Sequence, residues 1–221
     1  MANVFAPYGL WPVTSSTGSA SNYEQSSGVI AYNDTTKIFR GDPVKKLSTG
    51  FVSQWTPGTA VSQLAGIFWG CTYLSTAQGK QVESQFWPGA DVASTAQNSV
   101  IAWLIPCTGA NAGTFRVQAA NSSTTDVTGV AFADIGQTID VALGSGNTLN
   151  GASTAYIDLN TINTTATLPF RIEALYGGGI GAGGFGGVQP GTSGPYSGSA
   201  TGAFNWVIVR ANVTGAGATG I

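Results

Sequence analysis

Thr114-Phe115-Arg116-Val117-Gln118-Ala119 decides the fold class. Apolar side chains fall at every second position with polar ones between them, the period of a strand that buries one face. Val82-Glu83-Ser84-Gln85-Phe86 and Pro169-Phe170-Arg171-Ile172-Glu173-Ala174 repeat the pattern, and in the second Arg171 and Glu173 share the polar face. Phe204-Asn205-Trp206-Val207-Ile208-Val209-Arg210 is apolar on both faces and rich in β-branched residues, so it reads as a strand covered on both sides. Leu64 to Tyr73 and Val100 to Ile105 are the other core candidates. Turn signals separate these runs: Ser48-Thr49-Gly50, Pro57-Gly58, Pro88-Gly89, Gly144-Ser145-Gly146-Asn147 and Asn150-Gly151, the last read as a type I′ hairpin. Helix-period runs are scarce. The expected class is all-β: an antiparallel sandwich, jelly-roll-like or barrel-like, with helix confined to a turn or two.

A chain of 221 residues can bury one large core, so a single domain is expected. Residues 1–27 place Phe5, Tyr8, Leu10 and Trp11 around prolines and then run polar, which predicts an extended N-terminal arm. The β domain then spans 28–221. Within it, 177–203 is glycine-rich and predicts a long loop before the last strand at 204–213.

Only 8% of the residues are charged, 8 basic against 10 acidic, for a net charge of −2. An ordinary domain carries roughly 25%. Such a balance supplies no broad positive field for nucleic acid or anionic lipid, and neither is expected as a partner. No basic-then-apolar leader opens the chain and no run approaches the length of a membrane span, so neither an export signal nor a membrane anchor is expected. The absence of histidine removes Ser-His-Asp and Cys-His nucleophiles, neutral-pH imidazole chemistry and His-containing zinc sites. Cys71 and Cys107 are far apart in sequence and read as two buried thiols, or as one disulfide if the fold joins them. No enzyme activity, cofactor or metal is expected.

The remaining motifs are weak. Gly179-x-Gly181-x-x-Gly184 spells the dinucleotide fingerprint, but a glycine tract makes the match nearly compulsory and no helix pattern follows it. Asp126, Asp134, Asp140 and Asp158 supply the carboxylates for a glycosidase-type pair, yet aspartates among Asn, Thr and Gly normally cap turns. Of the tryptophans at 11, 55, 69, 87, 103 and 206, Trp55 and Trp87 precede prolines and are expected to be the exposed ones.

Several phrases together resemble a family of tailed-bacteriophage virion proteins. They are Ala2 to Pro12, Ile30 to Val44 with Leu47-Ser48-Thr49-Gly50, Ala65 to Tyr73, Trp87-Pro88-Gly89 and Leu168-Pro169-Phe170-Arg171-Ile172. The likeness covers most of residues 2–176 and fades in the glycine tract. It implies a head structural component: a cement or decoration protein on the outer surface of the virion capsid, assembled in the host cytoplasm. Its partners would be the major capsid protein and further copies of itself, as a homo-dimer or homo-trimer. The family brings no catalytic residues. Phe5, Tyr8, Leu10 and Trp11 in the arm, with Phe185 and Tyr196 in the glycine-rich loop, are the expected assembly contacts. Against these stands the arm folding onto its own domain. The alternatives are a glycan-binding adhesin of a virion or cell surface, using Trp55 and Trp87, and a major head or tail subunit.

Overall fold

The computed structural model describes residues 4–13, 25–92, 100–107, 113–121, 128–176 and 203–212. The glycine tract, Phe185, Tyr196 and Asp126 lie outside them. The strands are β1 (Trp11–Pro12), β2 (Ser26–Val29), β3 (Ile38–Phe39), β4 (Pro43–Lys46), β5 (Val52–Gln54), β6 (Leu64–Ser75) and β7 (Lys80–Ser84). They continue with β8 (Phe86–Trp87), β9 (Ile101–Pro106), β10 (Thr114–Ala120), β11 (Thr138–Ala142), β12 (Tyr156–Asn163), β13 (Phe170–Tyr176) and β14 (Trp206–Ala211). Two 3-10 turns, Val61–Gln63 and Phe132–Asp134, are the only helical elements among the described residues. The fold is all-β.

The alternating segments of the second half form a closed barrel. Strand order runs β10-β12-β11-β13-β14, and β14 then pairs back along β10 from Arg210↔Thr114 to Trp206↔Gln118. β1 adds two residues to the other edge of β10, with Trp11 opposite Arg116, just ahead of the stretch that β12 occupies. One feature departs from the antiparallel expectation: β10 and β12 are parallel at Ala119↔Ile157, because the chain crosses over through β11 before returning to that edge. Phe115, Val117 and Ala119 point inward to meet Ile139, Val141, Ile157, Phe170, Ile172, Val207 and Val209. Thr114, Arg116 and Gln118 therefore point out.

The first half builds a second sheet, ordered β2-β9-β6-β4-β5 with β7 on β6, and a bridge from Ile30 to Val52 links its outer strands. The long strand β6 serves two cores. Its Leu64 and Ile67 join Trp55 and Ile105 in the barrel's apolar cluster. Phe68, Cys71 and Tyr73 turn the other way, into a second cluster with Ile30, Ile38, Val44, Trp87, Ala102 and Leu104. A register shift between Phe68 and Gly70 re-aims the strand between them, bringing Trp69 to the seam.

Several local expectations are corrected. Val100 to Ile105 is only partly core, because β9 sends Ala102 and Leu104 inward and leaves Trp103 40% exposed. Trp55 and Trp87 are 1% and 0% exposed rather than surface residues. Each indole finds an acceptor: Trp55 Nε1 donates to the buried Asp140 Oδ1 at 3.2 Å and Trp87 Nε1 to the Asp34 carbonyl at 3.1 Å. Asn150-Gly151 is not a type I′ turn. Gly151 has φ 70° but Asn150 keeps a negative φ, and Gly151 N–H donates to the Asn147 carbonyl across a helical-type turn. Cys71 and Cys107 are free thiols in different clusters.

Residues 4–13 of the arm lie on the barrel itself. The arm boundary at 27 falls inside β2, which pairs with β9 from Ser26↔Leu104 to Val29↔Ile101. No helix among the described residues is long and apolar enough to cross a membrane.

Candidate interaction surface

The arm is positioned by backbone hydrogen bonds made where side chains are smallest. Gly9 N–H donates to the Ala155 carbonyl and Leu10 N–H to the Gly41 carbonyl, while Gly41 N–H donates to Phe68 O. Gly9 has φ +84°, and a Cβ there would stand 2.7 Å from Ser153 Cβ and 2.8 Å from Gly41 O. Only glycine combines that backbone angle with that approach. The neighbouring Asp42 is buried and ties the same junction from below: it accepts from Phe39 N–H, Gln54 Nε2 and Ser153 Oγ. Burial pushes its carboxyl above the ordinary aspartate value, against these hydrogen bonds, which lower it.

With the arm so held, its aromatic residues take separate positions. Leu10 is 0% exposed and belongs to the barrel's own cluster. Phe5 packs on Tyr156 and Phe204 with ring centroids 5.5 Å away in each case, over Ala120. Gln118 clamps this stretch, accepting from Ala6 N–H at 2.9 Å and donating to Val4 O at 2.8 Å. Tyr8 and Trp11 remain partly exposed.

Those two rings belong to a continuous row of aromatics and arginines. Tyr8 lies 4.7 Å from Trp206 and 5.7 Å from Trp11, and Trp11 lies 5.1 Å from Trp69. Trp11 Nε1 donates to Tyr8 O, which fixes the indole's orientation. At one end the Arg116 guanidinium sits 4.8 Å from Tyr176, 5.5 Å from Tyr8 and 5.6 Å from Trp206. It donates from Nη1 to Tyr176 Oη at 3.0 Å. At the other end Arg40 packs on two indoles, 3.9 Å from Trp69 and 5.0 Å from Trp11. Every member of the row is partly exposed. β10, β13 and β14 supply one half, β6 and the loop after β3 supply the other, and Trp11 bridges them.

Sequence reading found Tyr8 and Trp11 but missed Arg40, Trp69, Arg116, Tyr176 and Trp206 as members of a surface. The available signal was phase: Arg116 and Trp206 stand on the outward positions of strands whose inward residues are all apolar. Arg40 and Trp69 carried no local signal, since they are far apart in sequence and meet only once the chain after β3 pairs with β6.

Most carboxylates among the described residues are occupied elsewhere. Asp134 accepts from Ala131 N–H, Asp140 from Trp55 Nε1 and Gly58 N–H, and Asp158 from Asn160 N–H. Asp34 accepts from Thr36 N–H and Ser53 Oγ, and Asp91 from Ser75 Oγ, Thr76 Oγ1 and Ala77 N–H. Most of these are turn and loop duties, and no paired, solvent-facing acid and base results among the described residues. The one ion pair among the described residues joins Arg171 and Glu173 at 2.8 Å, on the face they were expected to share. Among the described residues no group of three or more His, Cys, Asp or Glu could hold a metal ion. Comparison with protein-family models, curated proteins and solved structures finds no match to this chain.

Proposed function

We propose that the chain is a non-enzymatic virion structural protein, a cement protein that binds the outside of a major-capsid shell and bridges neighbouring capsomers. The observation that carries this reading is the partly exposed row Tyr176–Arg116–Trp206–Tyr8–Trp11–Arg40–Trp69. Trp, Tyr and Arg are the residues that dominate binding energy at protein interfaces, and here they are pre-ordered by one another before any partner arrives. Pre-ordering lowers the entropy lost on docking. A surface with few charges loses less on desolvation than an ionic one.

Function then follows from linkage rather than chemistry. A protein that binds the assembled shell and not its separated subunits stabilises the shell by mass action, in proportion to the logarithm of its concentration over its dissociation constant. The resemblance of the opening and central phrases to tailed-phage head proteins supports the same reading. Trp55 and Trp87, the residues that a glycan-binding alternative would use, are enclosed in the two cores. Particles assembled with and without the protein provide the test: decorated heads should survive heat and osmotic shock that rupture bare ones, and equal survival would overturn the proposal.

A further inference from the structure

The cation bookkeeping of this fold is one-sided. Seven of the eight acidic side chains among the described residues accept hydrogen bonds from the chain itself, while Arg40 and Arg116 have no carboxylate partner among those residues. Their Nε atoms are buried without an acceptor. Two indoles lie against Arg40, and three rings lie within cation–π distance of Arg116. With Nε buried, the edge of each guanidinium left to meet a carboxylate is the one its two Nη atoms form, and in Arg116 one of these also donates to Tyr176 Oη. That edge is the fork that matches a carboxylate through two parallel hydrogen bonds.

We infer that Arg40 and Arg116 are docking points for carboxylates on an acidic protein surface of the partner. The inference rests on the cement reading, whose binding face it assigns a chemistry. Two well-oriented arginines suit a few discrete side-chain carboxylates. They do not suit a polyphosphate backbone, which is held by many cations at once, and this chain has only 8 in all. The aromatic rings add cation–π attraction and hold each fork in place, so little side-chain entropy remains to be lost when a carboxylate arrives.

The probe is poly-L-glutamate, titrated into the full chain at low salt with tryptophan emission as the readout, and double-stranded DNA of matched charge as the comparison. Arg40→Gln and Arg116→Gln should each weaken polyglutamate binding by roughly tenfold or more. Arg40→Lys retains the charge and loses the fork, and should also weaken it. Lys80→Gln, on β7 of the other sheet, should leave it unchanged. Variants enter the comparison once their thermal midpoints match the parent, and Arg40→Lys covers the case in which Arg40→Gln does not fold. Absence of polyglutamate binding, equal or tighter binding of DNA, or an equal loss in Lys80→Gln would each overturn the inference. Particle protection separates the two proposals. If Arg40→Gln/Arg116→Gln protein protects heads as well as the parent does, the carboxylate assignment fails and the cement reading stands. If the parent gives no protection while polyglutamate still binds at both arginines, the cement reading fails alone.

Discussion

At the scale of single residues the structure converts polar and reactive groups into scaffold. Burial pushes the Cys71 thiol up to about 12 and raises that of Cys107 as well, so neither is a thiolate at neutral pH. Native protein at pH 8 should therefore leave a thiol reagent unconsumed over minutes, and both cysteines should react once the chain is unfolded in urea. Asp42 gives a pH signature. Its folded value lies above the ordinary 3.8, so between those two values the native state holds more protons than the unfolded chain and stability falls as pH rises. Asp91 acts with the opposite sign: its hydrogen bonds lower it, and stability is lost as pH falls below 3.8. Asp42→Asn keeps an acceptor for Phe39 and Gln54 and a donor toward Ser153. In parallel urea melts across pH it should lose the decline above 3.8 that the parent shows. Asp42→Ala leaves three donors without their acceptor and should cost about 2–3 kcal/mol.

Elements show which parts of the fold a linear reading reaches. β7, β10 and β13 were legible because their alternation is carried by adjacent residues, β14 because its apolar run is β-branched, and Arg171 and Glu173 form the expected pair. Exposure of Trp55 and Trp87 was misjudged because their neighbours suggest a turn, whereas the acceptor that draws Trp55 inward, Asp140, lies on a strand in the other half of the chain. The interaction row was half legible for the same reason. Tyr8 and Trp11 stand out in the arm, but the arginines that complete the row are reached only through β10 and the loop after β3. Gly9 is the element-scale test of that junction. Gly9→Ala forces an L-residue into positive φ and drives its Cβ against Ser153 and Gly41, and should cost about 2 kcal/mol or more in a denaturant melt. Its tryptophan emission should also report a loosened Trp11–Trp69 contact.

On the scale of the whole molecule the two β units share apolar contacts, since Trp55, Leu64, Ile67 and Ile105 of the first sheet sit in the barrel's cluster. Heating should give one cooperative transition with calorimetric and van't Hoff enthalpies in agreement. Two resolved transitions would show that the units unfold independently. The sparse charge of the chain takes its meaning at this scale too. Most acids accept hydrogen bonds from the chain itself, and Arg40 and Arg116 are set among rings on one face. That distribution suits a subunit whose working state is packed against other protein. The most direct measurement of this account is a pair of particle images, heads assembled with the parent chain and heads assembled with Trp11→Ala/Arg116→Gln. The account predicts added density on the outer shell with the parent chain, its arginine–aromatic face toward the capsomers, and bare heads with the variant. Density on the interior or the tail, or decoration unchanged by the variant, would contradict it.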